Sequence, residues 1–119
     1  MHSGELLSQV SRLVTGIGGV TATGEDTFLF SGVMIAEAIR ASGSIVMEVR
    51  SHPSDALVLV DEYPFCRTID SVEHSESGWV RFMFFSPPDE MEREALLESV
   101  RSAADRVEEE QGRGTDGSE

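Results

Sequence analysis

The chain of 119 residues contains one cysteine, no lysine and no asparagine. A single cysteine, Cys66, excludes an internal disulfide, and a domain of this length buries about two thirds of its unfolded surface, so it needs no covalent staple. No run approaches the ~18 apolar residues of a membrane span, and no basic-then-apolar leader pattern is present. We therefore expect a cytoplasmic protein with no membrane partner.

Basic charge is also scarce, because nine arginines face 22 acidic residues and the net charge is −13. Lysine normally ranks among the commonest residues, so its absence needs a cause. The lysine and asparagine codons are AT-rich and a GC-rich genome depletes both, while a salt-filled cytoplasm favours acidic, lysine-poor surfaces. In dilute salt the charge argues against nucleic acid as a partner. In molar salt the Debye length falls to ~3 Å and the same surface is merely solvated.

The strongest pattern in the chain is a series of apolar β-like segments between residues 44 and 85. Residues 79–85, Trp-Val-Arg-Phe-Met-Phe-Phe, lie between Gly78 and the pair Pro87-Pro88 and are rich in β-formers. With a period of two, both faces of this segment are apolar, which predicts a strand that is covered on both sides. Similar patterns predict three further strands, and the short links make them antiparallel, near residues 44–50, 56–62 and 66–73.

Amphipathic patterns predict two helices that cover this sheet. Residues 4–15 follow Ser3, a good N-cap, and place apolar side chains on one face. Residues 87–109 follow Ser86, with Pro87 in the first helical position and Asp89 in an approximate capping box. Residues 33–42 contain good helix formers and close with Gly43, so we favour a short helix there, although a continued strand is the alternative.

Together these elements predict an α+β fold with an antiparallel sheet of five or six strands. The sheet begins with a hairpin near residues 20–31, and the two helices at 4–15 and 87–109 pack on it. Residues 1–110 form the single predicted domain. Residues 111–119 contain three glycines and no apolar residue, which predicts a disordered acidic tail.

The turn marked by Gly16, Gly18 and Gly19 follows the first helix and leads into the hairpin. This opening order is similar to that of roadblock-type dimerisation domains, and a helix flanking a curved sheet is similar to small secretion-chaperone folds. The second predicted helix is short for the roadblock-type order. The resemblance covers the order of elements only and carries no functional residue to this chain.

His52, Cys66 and His74 are of the types that bind zinc, and they are the candidate metal ligands of the chain. Their spacings of 14 and 8 residues match no compact metal motif, because structural zinc sites usually contain a close pair of ligands. We therefore predict no metal and no cofactor. In this interpretation His52 is a turn residue, Cys66 is a core residue and His74 is a loop residue. No nucleophile elbow surrounds any serine, so no catalytic residue is assigned and an enzyme is disfavoured.

Arg81 is the most informative position, because it lies in the middle of an apolar strand. Its charge must find a carboxylate, lie at an edge or meet a partner chain; alternatively its stem covers the sheet while the guanidinium reaches solvent. The residues that share its face are of types enriched at interfaces, and we take them as candidate interface residues: Trp79, Arg81, Met83 and Phe85.

We therefore predict a non-catalytic homodimeric interaction or regulatory module, because two helices are too few to cover both faces of the sheet. A protein partner other than a second copy would use the same surface. A second hypothesis is an enzyme, or a metal or small-molecule binder, with a pocket near His52, Cys66 and His74. A third is a nucleic-acid-associated regulator in high salt, which the scattered arginines disfavour.

Overall fold

The computed structural model describes residues 3–24, 26–41, 43–68 and 78–116. Within them the chain forms an α+β fold with a six-stranded antiparallel sheet, which confirms the predicted class. The helices are α1 (Ser3–Thr15), α2 (Pro53–Glu62) and α3 (Glu90–Asp116). The strands are β1 (Val20–Thr23), β2 (Thr27–Phe30), β3 (Val33–Ala41), β4 (Ser44–Arg50), β5 (Cys66–Thr68) and β6 (Trp79–Phe84).

The strands lie in the order β1-β2-β3-β4-β6-β5. The first four follow one another as a meander. The chain then leaves β4, passes through α2 to the outer strand β5, and returns as β6 between β4 and β5. The aromatic-rich strand β6 is therefore paired on both sides, as its apolar composition indicates.

The core lies between one face of the sheet and the three helices. Alternate residues of the adjacent strands β4 and β6 point into it: Ile45, Met47 and Val49 of β4, and Val80, Phe82 and Phe84 of β6. The helices contribute Leu6, Leu7, Val10 and Val14 from α1, Ala56 and Leu59 from α2, and Ala95, Leu96, Val100, Ala103 and Val107 from α3. All of these belong to one cluster of buried side chains, so the three helices share one face of the sheet.

Residues 33–42 were predicted to form a short helix, and this prediction is wrong, because Val33–Ala41 is strand β3. Ser31 and Gly32 both have positive φ, 51° and 80°, and such a two-residue turn joins antiparallel strands. The strand pairs with β2 on one side and β4 on the other, and this pairing outweighs the helix propensity of its alanines. The element order therefore departs from the roadblock-type order at this point.

Residues 56–62 were predicted to form a strand, and they lie instead in helix α2. A short apolar run such as Leu57 to Val60 does not distinguish a strand from a helix by periodicity. The helix begins with Pro53 in its first turn and with Asp55 near its positive end, and both are typical helix-start signals. Ala56 and Leu59, three residues apart, are its buried residues.

The C-terminal helix begins at Glu90, three residues later than predicted. Because Pro88 disfavours helical backbone at Pro87, the helix cannot start before the second proline. Asp89 caps it instead of Ser86: the Asp89 side chain accepts from the Glu92 N–H at 2.8 Å, and the Glu92 side chain accepts from the Asp89 N–H at 3.0 Å. The helix continues to Asp116, into the segment that composition assigned to the tail.

The remaining predicted elements agree with the structure. The N-terminal helix, the hairpin and strand 44–50 have the predicted bounds to within a residue, and strand 79–85 ends at Phe84. The strand predicted over 66–73 is present at Cys66–Thr68, and the rest of it lies outside the described residues.

Candidate interaction surface

The face of the sheet that lies opposite the helices, called the open face below, carries the candidate interface residues. In β6 the side chains alternate: Phe82 is fully buried against the helices, whereas its neighbour Met83 is 45% exposed. Phe85, directly after the strand, is 69% exposed. The same alternation holds in β4, where Val46 and Glu48 are half-buried between fully buried neighbours. Within the described residues, the helices therefore cover only one of the two apolar faces that the sequence indicates.

An apolar row crosses the open face at right angles to the strands. Ile39 of β3 lies opposite Val46 of β4, which lies opposite Met83 of β6. Side chains directly opposite one another on antiparallel strands have Cβ atoms about 5 Å apart, so these three form a continuous strip, the apolar row. Ile39 is 41% exposed, and thus both ends of the row are accessible.

A charged row runs beside the apolar row, two residues along the strands. In strand order it consists of two acidic and then two basic residues, Glu37, Glu48, Arg81 and Arg67. Arg81 meets Glu48 within the chain: its Nη2 lies 2.8 Å and its Nε 3.2 Å from Glu48 Oε2. Of the environments considered for Arg81, the structure thus places it beside a carboxylate, with the side chain 40% exposed.

Trp79, the remaining candidate interface residue, is half-buried and lies opposite Arg50 at the end of β4. Arg50 binds the far part of α3, with its Nη1 and Nη2 3.1 and 3.0 Å from the two carboxylate oxygens of Glu110. Hydrogen bonding to Arg50 lowers the pKa of Glu110. The Arg50–Glu110 ion pair connects α3 to the end of β4, at one border of the open face.

The candidate metal ligands do not form a cluster in the described part of the chain. His52 precedes α2, and its Nε2 lies 3.1 Å from Glu109 Oε2. Cys66 is a core residue opposite Phe82, and burial raises the pKa of its thiol to about 12. His74 lies outside the described residues. Among those that are described, no group of three histidine, cysteine or acidic side chains could hold a metal ion.

A cleft of about 270 Å³ lies between α2 and α3. At its polar end, Ser102 Oγ donates to Asp55 Oδ2 at 2.7 Å and accepts from the backbone N–H of His52 at 2.9 Å. These groups satisfy one another and stabilise the start of α2, because a helix N-terminus attracts a carboxylate. The cleft is therefore part of the packing between α2 and α3. Beside it, burial and the nearby Glu98 carboxylate raise the pKa of Tyr63.

Sequence reasoning predicted strands β4, β5 and β6 of the open face, but it assigned candidate interface residues only around β6. Val46, Glu48 and Arg67 contribute to the open face only through register, which a single strand does not reveal. Glu37 and Ile39 were hidden because their segment was interpreted as a helix. The signal that could have found them is Ser31-Gly32, because a Ser-Gly dipeptide marks a turn and these two residues separate two segments that can each form a strand.

No family model, curated protein or solved structure matches this chain. In the described residues, no helix has both the length and the apolar character that a membrane crossing requires.

Proposed function

We propose that this protein is a non-catalytic homodimeric interaction module of the cytoplasm, and that the open face is its docking surface for a second copy. The observation that carries the proposal is the distribution of the helices in the described part of the chain, since all three lie on one face of a sheet that is apolar on both. The exposed residues opposite them include Ile39, Met83 and Phe85. Contiguous exposed apolar surface of this kind is typical of an interaction site.

Charge supports a second copy as the occupant. The chain carries a net charge of −13, so two copies repel one another over most of their surface. The charged row of the open face is locally neutral, with two acidic and two basic members. A face that holds both signs of charge can meet a copy of itself without collecting like charges, which is what an isologous dimer requires.

The proposed role is binding rather than catalysis because the polar groups of the α2–α3 cleft bond to one another. Ser102 is engaged by Asp55 and by the backbone of His52. Cys66 is buried, and its raised pKa keeps the thiol protonated near neutral pH, which is the opposite of an activated nucleophile. By contrast, methionine and aromatic side chains such as those on the open face are enriched at interfaces.

Sedimentation equilibrium on the full chain tests the proposal. We expect a dimer at micromolar concentration in dilute and in molar salt, because apolar burial does not depend on charge. Met83→Asp should raise the dissociation constant by at least about a hundredfold, since it would bury an unpaired carboxylate. Val58→Asp is the matched control: Val58 is 58% exposed, but it lines the cleft between α2 and α3, on the helix side of the sheet.

Two results would contradict the proposal. One is a monomeric wild-type chain in both salt conditions. The other is a dimer that Val58→Asp disrupts and Met83→Asp leaves intact, because the contact would then involve the helices. Circular dichroism of each variant establishes that the fold is retained.

A further inference from the structure

The order of charges on the open face also defines how two copies would be arranged. From β3 to β5 the charged row is acidic, acidic, basic, basic, so its acidic half lies on β3 and β4 and its basic half on β6 and β5. The boundary between the halves falls between β4 and β6. At this boundary Glu48 and Arg81 already pair within the chain.

The two ends of the charged row differ from its centre. Glu37 on β3 and Arg67 on β5 have no ion-pair or hydrogen-bond partner for their side chains among the residues that the structure describes. Arg67 is exposed and Glu37 is half-buried. Each monomer thus offers one acidic group and one basic group, at opposite ends of the same row, that another molecule could pair.

We infer that two copies pack open face to open face about a two-fold axis that runs parallel to the strands, between β4 and β6. This inference rests on the proposed function. Such an axis exchanges β4 with β6 and β3 with β5. It therefore places Glu37 of each copy opposite Arg67 of the other, and the contact occurs twice.

The alternative face-to-face axis, along the charged row, gives the opposite electrostatic result. It places each strand on its own counterpart, so Glu37 faces Glu37 and Arg67 faces Arg67. Like charges in direct opposition oppose association and favour another arrangement. The strand-parallel axis is the one of the two for which the charges attract.

The same axis also brings the apolar rows together. A rotation about a line parallel to the strands leaves each row at its own level along the strands, so Val46 of one copy faces Met83 of the other. Packed sheets are about 10 Å apart and cross at about 30°. Glu37 and Arg67 lie about 7 Å from the axis at the usual strand spacing, so the crossing displaces them by about 4 Å, which an arginine side chain can span.

Charge reversal on the full chain tests this arrangement. Glu37→Arg alone creates two arginine–arginine contacts in its homodimer, and Arg67→Glu alone creates two glutamate–glutamate contacts. We expect each single variant to dimerise about tenfold more weakly than the wild type in dilute salt. An equimolar mixture of the two should recover wild-type affinity as a heterodimer, because both contacts are then of opposite charge. The double variant should recover it as a homodimer.

Glu108→Arg and Arg12→Glu are matched controls, since they make the same changes in net charge on exposed helix positions. At the same ionic strength, these control variants should leave the dissociation constant of the dimer within about twofold of the wild-type value. Native mass spectrometry of the mixture, with one variant isotopically labelled, measures the heterodimer fraction.

The outcomes separate this inference from the proposed function. If Met83→Asp dissociates the dimer but the mixture shows no recovery over the single variants, the axis is wrong and the docking surface stands. If the wild-type chain is monomeric, both fail. If the single variants match their controls, Glu37 and Arg67 do not face one another and the arrangement is overturned.

Discussion

Glu48 and Arg81 lie directly opposite one another on β4 and β6, and the arginine binds a single carboxylate oxygen through two nitrogens. The pair lies on the sheet face that is opposite the described helices. It satisfies a charge in the middle of an apolar strand, and it leaves the apolar row of Ile39, Val46 and Met83 uninterrupted beside it. The open face can thus be exposed to water in a single chain and also be suited to burial against another surface.

The Glu48–Arg81 pair should contribute modestly to stability. Because the arginine side chain is 40% exposed, we expect a coupling of about 0.2–1 kcal/mol rather than the larger value of a buried pair. A double-mutant cycle with Glu48→Gln and Arg81→Gln, measured by urea unfolding at one low protein concentration, gives this quantity. The coupling should shrink in molar salt. A coupling that does not depend on salt, or the absence of a coupling in dilute salt, would refute the view that Glu48 and Arg81 form a stabilising, partly exposed ion pair.

The strands with clear alternation were predictable from the sequence, and the short apolar runs were not. In residues 44–50 apolar and polar side chains alternate except at Val46, and this period identifies β4. Leu57 to Val60 has no such period, and its helical state depends on Pro53 and on burial of Ala56 and Leu59. Strand β3 depends on neighbours on both sides, which local propensity does not contain.

The candidate surface was only partly predictable, for a related reason. Its β6 members, such as Met83 and Arg81, follow from the two-sided apolar pattern of one strand. The charged row exists only because Glu48 and Arg67 are in register with Arg81, and register is set by pairing across the sheet. That these residues form an interface stays a prediction.

The start of α3 provides a second test. Asp89 and Glu92 cap each other's backbone N–H groups, whereas Ser86 precedes the two prolines. Asp89→Ala should therefore lower the free energy of unfolding by about 0.5–2 kcal/mol. Ser86→Ala is the control and should change it by less than about 0.5 kcal/mol. Chemical denaturation measures both losses. A larger loss for Ser86→Ala than for Asp89→Ala would show that Ser86 caps the helix, as the sequence suggested.

Cys66 should make stability depend on alkaline pH. Burial raises the pKa of its thiol from 9.0 to about 12. Between these values the unfolded chain has released the proton and the folded chain retains it, so the free energy of unfolding falls as the pH rises. Below pH 9 the protonated thiol makes its full contribution to the free energy of unfolding. Above pH 9 the free energy of unfolding falls, with a slope that approaches about 1.4 kcal/mol per pH unit.

Urea unfolding of the wild type and of Cys66→Ala between pH 8 and 10 isolates this effect, because alanine has no proton to release. The two curves should run parallel near pH 8 and converge towards pH 10. Tyr63 also has a raised pKa and acts in the same direction, but it does so in both proteins. Parallel curves over the whole interval would show that the thiol titrates equally in the folded and unfolded chains.

Gly78 fixes the entry to β6 through a close approach that no other residue could make. Its φ is 87°, and its carbonyl accepts from the Ser51 N–H at 3.1 Å and from Ser51 Oγ at 2.7 Å. A Cβ at this position would collide with the Ser51 carbonyl oxygen and lie 2.9 Å from Pro53 N. The glycine thus joins the start of β6 to the link between β4 and α2, and this contact holds the open-face strands in register.

Replacing this glycine should cost more than its backbone conformation alone explains. Gly32→Ala is the control, because Gly32 has a φ of 80° but no atom within 4 Å of an added Cβ. We expect the control to lose about 1–2 kcal/mol from the left-handed backbone. Gly78→Ala should lose about 1–3 kcal/mol more, because backbone atoms must move to admit the methyl group. Equal losses of unfolding free energy for Gly78→Ala and Gly32→Ala would mean that the link between β4 and α2 moves without cost. The link would then not set the position of β6.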